Sequence, residues 1–175
     1  MPDVAELLAS VRRTYAAAAS YSDSGRVVFS GGTLDGETAV FRTTFERRGR
    51  TLSLRYSART GDISLVVDAD HIEIMPPELH SLLRANILSN AIAVLTGVTS
   101  GVAHHVFSML LPDEISGRAL CAEDREYVLK ETPSSGGGVW ILTTAVEPRH
   151  ELVIGQDLLL RAYRVRGSSR TRPTS

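Results

Sequence analysis

At Tyr21-Ser22-Asp23-Ser24-Gly25 the period of the hydrophobic pattern changes, and this change limits the possible folds more than any other feature of the chain. Before it, Val4, Leu7, Leu8, Val11, Tyr15, Ala18 and Ala19 recur at steps of three and four, which places them on one face of a helix over about residues 3–20. Asp3 and Glu6 have the spacing of a capping box, with Asp3 accepting from first-turn amides and Glu6 reaching back. The Ser-Asp-Ser-Gly run predicts a turn held by local side-chain to backbone hydrogen bonds. After it the period is two. One helix followed by meandering strands describes a curved sheet in need of a cover, and such a sheet commonly encloses a hollow.

A first strand is expected around Val27–Phe29. Phe41, Thr43 and Phe45 then alternate with Arg42, Thr44 and Glu46, and Leu52, Leu54 and Tyr56 with Ser53, Arg55 and Ser57. Ile63–Val67 and Ile72 with Ile74 complete five strands, separated by turns at Arg48-Gly49-Arg50, Thr60-Gly61-Asp62 and Asp68-Ala69-Asp70. Strands this closely spaced form an antiparallel meander with one wet face. Pro76-Pro77 stops the sheet. Leu79, Leu82, Leu83, Ile87, Ala91 and Leu95 keep a helical period over Glu78–Leu95, and a second helical segment, about residues 102–111, ends at Pro112. Five further strands are expected at 118–121, 127–131, 139–144, 150–154 and 158–165. The resulting class is α+β: a curved antiparallel sheet forming an unclosed half-barrel, with the first helix and the helical insert over its concave face. Residues 1–166 are expected to make one domain, and the Ser-, Arg-, Thr- and Pro-rich residues 167–175 a disordered tail.

Several function classes can be set aside. A formal net charge of −1 gives no drive toward nucleic acid or an anionic membrane. The single cysteine, Cys121, excludes an internal disulfide and a cysteine metal cluster. The apolar stretch from Ile87 to Val106 is interrupted by Asn90, Thr96, Gly97, Ser100, Gly101 and two histidines, so no transmembrane segment is expected. Met1-Pro2-Asp3 lacks the basic start and apolar run of a signal peptide. Adjacent His104 and His105 on a helix point about 100° apart and cannot easily share one ion. His71 and His80 lack metal-site spacing, Ser22-Asp23-Ser24 has no histidine partner, and Gly136-Gly137-Gly138 precedes a strand instead of a helix. Asp68, Asp70 and Glu73 lack the glycine and terminal glutamate of a calcium loop. No catalytic residue, metal or cofactor is called for, and a non-enzyme is expected.

The apolar positions carry the functional reading. The ordinary meaning of such residues is core. Here, however, the insert is very apolar for a surface cover, and a Gly97, Ser100 and Gly101 joint could let it shift. A pocket between helices and sheet would be lined by Phe45, Leu54, Tyr56, Leu83, Ile87, Phe107 and Leu110.

The helix running into Tyr15 and Ser20-Tyr21-Ser22-Asp23-Ser24-Gly25, the strands Phe41–Arg47 and Leu52–Tyr56, the mid-chain insert, and Tyr127-Val128-Leu129 followed by Val139-Trp140-Ile141 together resemble the bacterial lipoprotein-localisation superfamily (LolA/LolB/LppX-like envelope carriers). The resemblance covers most of residues 4–165. Two positions depart from it: Leu142 stands where the family has Asp after Trp-Ile, and Glu147-Pro148-Arg149-His150 replaces an Arg-rich strand. What the resemblance implies is an unclosed half-barrel whose hollow holds a lipid or acyl-chain ligand. A lipoprotein or another envelope protein would be the partner, and the location periplasmic or cell envelope if a leader has been removed, cytoplasmic otherwise. The competing expectation is a protein-interaction module of the same fold with a filled core and no ligand.

Overall fold

The computed structural model describes residues 2–29, 36–69, 71–83, 87–99, 101–115, 126–132, 138–145 and 149–166. The described residues are α+β, with four helices and nine strands in two antiparallel sheets, and neither sheet closes on itself. The chain divides into two compact units: Met1–Ala16 with Cys121–Ser175, and Ala17–Leu120. The expected strand at 118–121 and the tail at 167–175 lie outside the described residues.

In the first unit, helix α1 spans Val4–Ala17 and buries Leu7, Leu8, Val11 and Tyr15, four of the residues expected on its inner face. The Asp3 carboxylate accepts from the Glu6 amide at 3.3 Å, the forward half of the expected capping box. The sheet of this unit has the order β6-β7-β8-β9, with β6 Tyr127–Thr132, β7 Val139–Thr144, β8 Arg149–Gly155 and β9 Leu160–Arg166. Leu142, Leu152 and Ile154 are fully buried in it, and Leu142 and Leu152 stand opposite each other in the register. Tyr15 ties helix to sheet: its hydroxyl accepts a 3.0 Å hydrogen bond from the Leu160 amide, at the start of β9.

The second unit carries a five-stranded meander in the order β1-β2-β3-β4-β5. Its strands are β1 Ser20–Val28, β2 Thr38–Glu46, β3 Thr51–Ala58, β4 Gly61–Asp68 and β5 His71–Met75. The register aligns the alternating apolar residues into rows across the sheet. Phe45, Leu52, Val67 and Ile72 form one row; Thr43, Leu54, Leu65 and Ile74 the next; Phe41, Tyr56 and Ile63 a third. The opposite face is wet and carries Arg26, Arg42, Arg55 and Glu73. Two further helical pieces follow: α2, Pro77–His80, and α3, Leu88–Val98; then α4, Val102–Leu110, begins after Gly101 in the left-handed region at φ 86°. Helices α3 and α4 pack together, and α3 touches β5.

Two expectations are corrected. The run Tyr21–Gly25 is strand, not turn: β1 begins at Ser20 and pairs with β2 through nine successive residues, from Ser20↔Glu46 to Val28↔Thr38. Serine, aspartate and glycine disfavour strands only weakly, and a complete ladder outweighs that bias. Glycine makes room here for the Phe41 ring, since a Cβ at Gly25 would stand 2.5 Å from it and force the ring to move. The single helix expected over 78–95 is broken. Ile87 is extended, at φ −126° and ψ 146°, so α2 and α3 cannot be one helix, and Leu82 and Ile87 are exposed.

Candidate ligand-binding cleft

The inner row Phe45, Leu52, Val67, Ile72 ends at the turns that follow β2 and β4. There it forms the floor of an open cleft of about 620 Å³ within the second unit. Ile87 and Leu88, entering α3, and Leu111, leaving α4, supply its apolar walls. Its charged lining residues, among those described, are Arg47, Arg50 and Glu114. The volume lies inside the range of roughly 300–1,000 Å³ usual for small-molecule sites, and the exposed lining is polar and apolar in equal measure.

Arg47 is held firmly. Its Nε donates to the Ala18 carbonyl at 3.1 Å and its Nη2 to the Leu110 carbonyl at 2.9 Å, while the guanidinium lies 5.1 Å over the Phe45 ring. One side chain thus ties the start of β1, the end of β2 and the last turn of α4 together. Arg50 is different: it closes the turn after β2, its side chain is 68% exposed, and its Nη2 meets Glu114 at 3.5 Å. Backbone geometry at this mouth is unusual. Of the non-glycine residues with positive φ, Arg50 at 51° and Ala69 at 48° both line the cleft.

Of the residues expected to line a pocket, Phe45 and Ile87 do line this cleft. Leu54, Tyr56, Phe107 and Leu110 are buried, at 3% exposure or less, and lie outside its lining; Leu83 is half-buried and also outside it. Leu52 and Ile72 were legible as inward-facing by alternation. Arg50 and Glu114 were not singled out, because 64 positions separate them and no local pattern relates a turn arginine to a glutamate so distant.

A second polar feature sits on the inner face of β1. Asp23 stands opposite Thr43, and the Tyr21 hydroxyl donates to its Oδ2 at 3.0 Å. Burial pushes the Asp23 carboxyl above the ordinary aspartate range, opposed by the Tyr21 hydroxyl and by the hydroxyl and amide of Thr43. Thr43 nonetheless makes no hydrogen bond of regular geometry through its hydroxyl, and Asp23 Oδ1 and Thr43 Oγ1 are both buried without one. Burial therefore sets the direction of the shift. His104 and His105 lie edge to face on α4, with ring centroids 6.2 Å apart, and His150 Nδ1 meets the Tyr163 hydroxyl at 2.7 Å in the first unit. Among the described residues no group of three or more His, Cys, Asp or Glu is placed to hold a metal ion, and no helix is long and apolar enough to cross a membrane.

Comparison with protein-family models, with curated proteins and with solved structures finds no match to this chain.

Proposed function

We propose that the chain binds a lipid-like or acylated ligand, without catalysing a reaction, as a carrier or sensor in an envelope compartment. The observation that carries this reading is the open cleft at one end of the five-stranded sheet, where the buried floor of Phe45, Leu52, Val67 and Ile72 is bordered by the exposed side chain of Ile87. Burial of an acyl chain there is favourable by about 0.8 kcal/mol per methylene. The fold class and the apolar floor of the cleft support a fold-level analogy with lipoprotein-localisation proteins.

The test uses Ile87, which lines the cleft yet is 52% exposed, so that a charge there does not enter a packed core. Ile87→Glu should retain the thermal midpoint of the parent and lose uptake of a fluorescent fatty acid. Uptake unchanged in Ile87→Glu, or no uptake by the parent and no lipid seen in native mass spectra, would remove the cleft reading.

A second reading draws on the wet face of the five-stranded sheet. Val28, Val40 and Val66 are exposed there beside Arg26, Arg42 and Arg55, and Arg42 stands directly opposite Arg55. Arginine is enriched at protein-binding patches, and the exposed valines add apolar area beside it. An interaction module working through this face would lose partner capture in Arg42→Glu, whereas a carrier working through the cleft would keep ligand uptake in that variant.

A further inference from the structure

The cleft is apolar at its floor and charged at its mouth, so its occupant has two chemically different ends. We infer that Arg50 receives the anionic head of the bound amphiphile, a carboxylate or phosphate, and releases Glu114 as it does so; this rests on the lipid-binding reading of the same cleft. Three observations point to that end of the ligand. First, Arg50 occupies a left-handed backbone position, φ 51°, where glycine or asparagine is the unstrained choice. The tight turn between β2 and β3 thus fixes a long cationic side chain at the edge of the cleft. Second, its contact with Glu114 spans the mouth, from the turn after β2 to the segment after α4. At 3.5 Å, with the two side chains 68% and 41% exposed, the pair is long and wet. Exposed ion pairs of this kind contribute little, so a competing oxyanion can replace the glutamate. Third, the guanidinium fork matches a carboxylate or phosphate with two parallel hydrogen bonds, whereas its contact with Glu114 runs through Nη2 alone. Among the described lining residues, Arg50 and Arg47, the latter anchored by the Ala18 and Leu110 carbonyls, make two cations to the one anion, Glu114. An anionic head is therefore favoured over a neutral or cationic one.

The experiment is calorimetric titration of the full chain with dodecanoate, dodecyl phosphate, dodecanol and dodecylamine, each below its micelle concentration. The parent should bind both anions about tenfold or more tighter than dodecanol, and dodecylamine no tighter than dodecanol. Arg50→Gln should bring the anions down to the dodecanol value and leave dodecanol itself unchanged. Glu114→Gln should tighten the anions by removing their competitor. Both positions are exposed, and thermal melts of the two variants verify the fold. Tighter dodecanoate would identify a free fatty acid as the source of the head, tighter dodecyl phosphate a phospholipid; either supports the assignment. Dodecanol binding as tightly as the anions, or an anion preference that survives Arg50→Gln, overturns the role of Arg50 and leaves the lipid reading standing. Binding of none of the four ligands would overturn the lipid reading itself.

Discussion

Asp23 shows how one residue can be legible by type and illegible by role. Its neighbours Ser22, Ser24 and Gly25 point to a turn; β-pairing turns the same carboxylate inward, opposite Thr43. Burial raises its pKa, so the folded chain holds this proton more readily than the unfolded chain does. The stability tied to the group is then present in full below the ordinary value of 3.8 and is lost as pH rises through the raised folded value. Asp23→Asn keeps an acceptor for the Tyr21 hydroxyl and cannot ionise. Urea midpoints of parent and variant should coincide at about pH 3, and the variant should be the more stable at about pH 7. Parallel pH profiles for the two proteins would show that the carboxyl is solvated. The backbone at Arg50 is a second residue-scale case. The three arginines of Arg47-Arg48-Gly49-Arg50 announce a turn, while the left-handed angle at Arg50 follows from how β2 and β3 must join. Arg50→Gly should therefore melt no lower than the parent, since relief of a left-handed residue, worth roughly 1–2 kcal/mol, exceeds an exposed ion pair.

Elements with a strong period were legible from sequence. Strand β3 was expected from the alternation Leu52, Leu54, Tyr56, and strand β7 from Val139 to Thr144; both are observed. Helix α1 presents the expected face but stops at Ala17, because Ser20 is already committed to pairing with Glu46. The insert failed for a different reason. Its leucines keep a helical period across Leu82 and Ile87, but period alone cannot detect one extended residue in the middle. What fixes α1 within its unit is a contact at long range. Tyr15→Phe removes the acceptor of the Leu160 amide, which should lower stability by about 1 kcal/mol. Faster hydrogen exchange at Leu160 should accompany the loss. An unchanged exchange rate there would mean that the amide is satisfied by water and that the tyrosine hydroxyl contributes nothing to the docking.

At the scale of the whole molecule, fold and site can be separated by two substitutions in the same unit. Leu54 is 1% exposed in the middle row of the five-stranded sheet, and Leu54→Arg should prevent folding, because an unpaired charge there has no solvent. Leu54→Ala should fold with a loss of roughly 2–5 kcal/mol. Ile87→Glu, at the open cleft, should leave the melting curve in place and abolish uptake. Circular dichroism melts read the first effect and ligand titration the second. A Leu54→Arg protein that folds normally would show that the middle row is not packed.

Alternation and helical period by themselves determined the α+β class, most strands, the inward faces of β2, β3 and β5, and an apolar insert. These are local properties, set by the geometry of one strand or one helix turn. Which inward residues pack solidly and which border open space depended on tertiary structure. Phe45 is buried at the floor of the cleft and Ile87 exposed at its wall, while Leu54 and Phe107 are buried away from it, although all four are apolar in sequence. The cleft lies where the inner row reaches the turn after β2 and the entry to α3. Its position is set by strand register and by the extended Ile87, and both arise only when segments far apart in the chain come together.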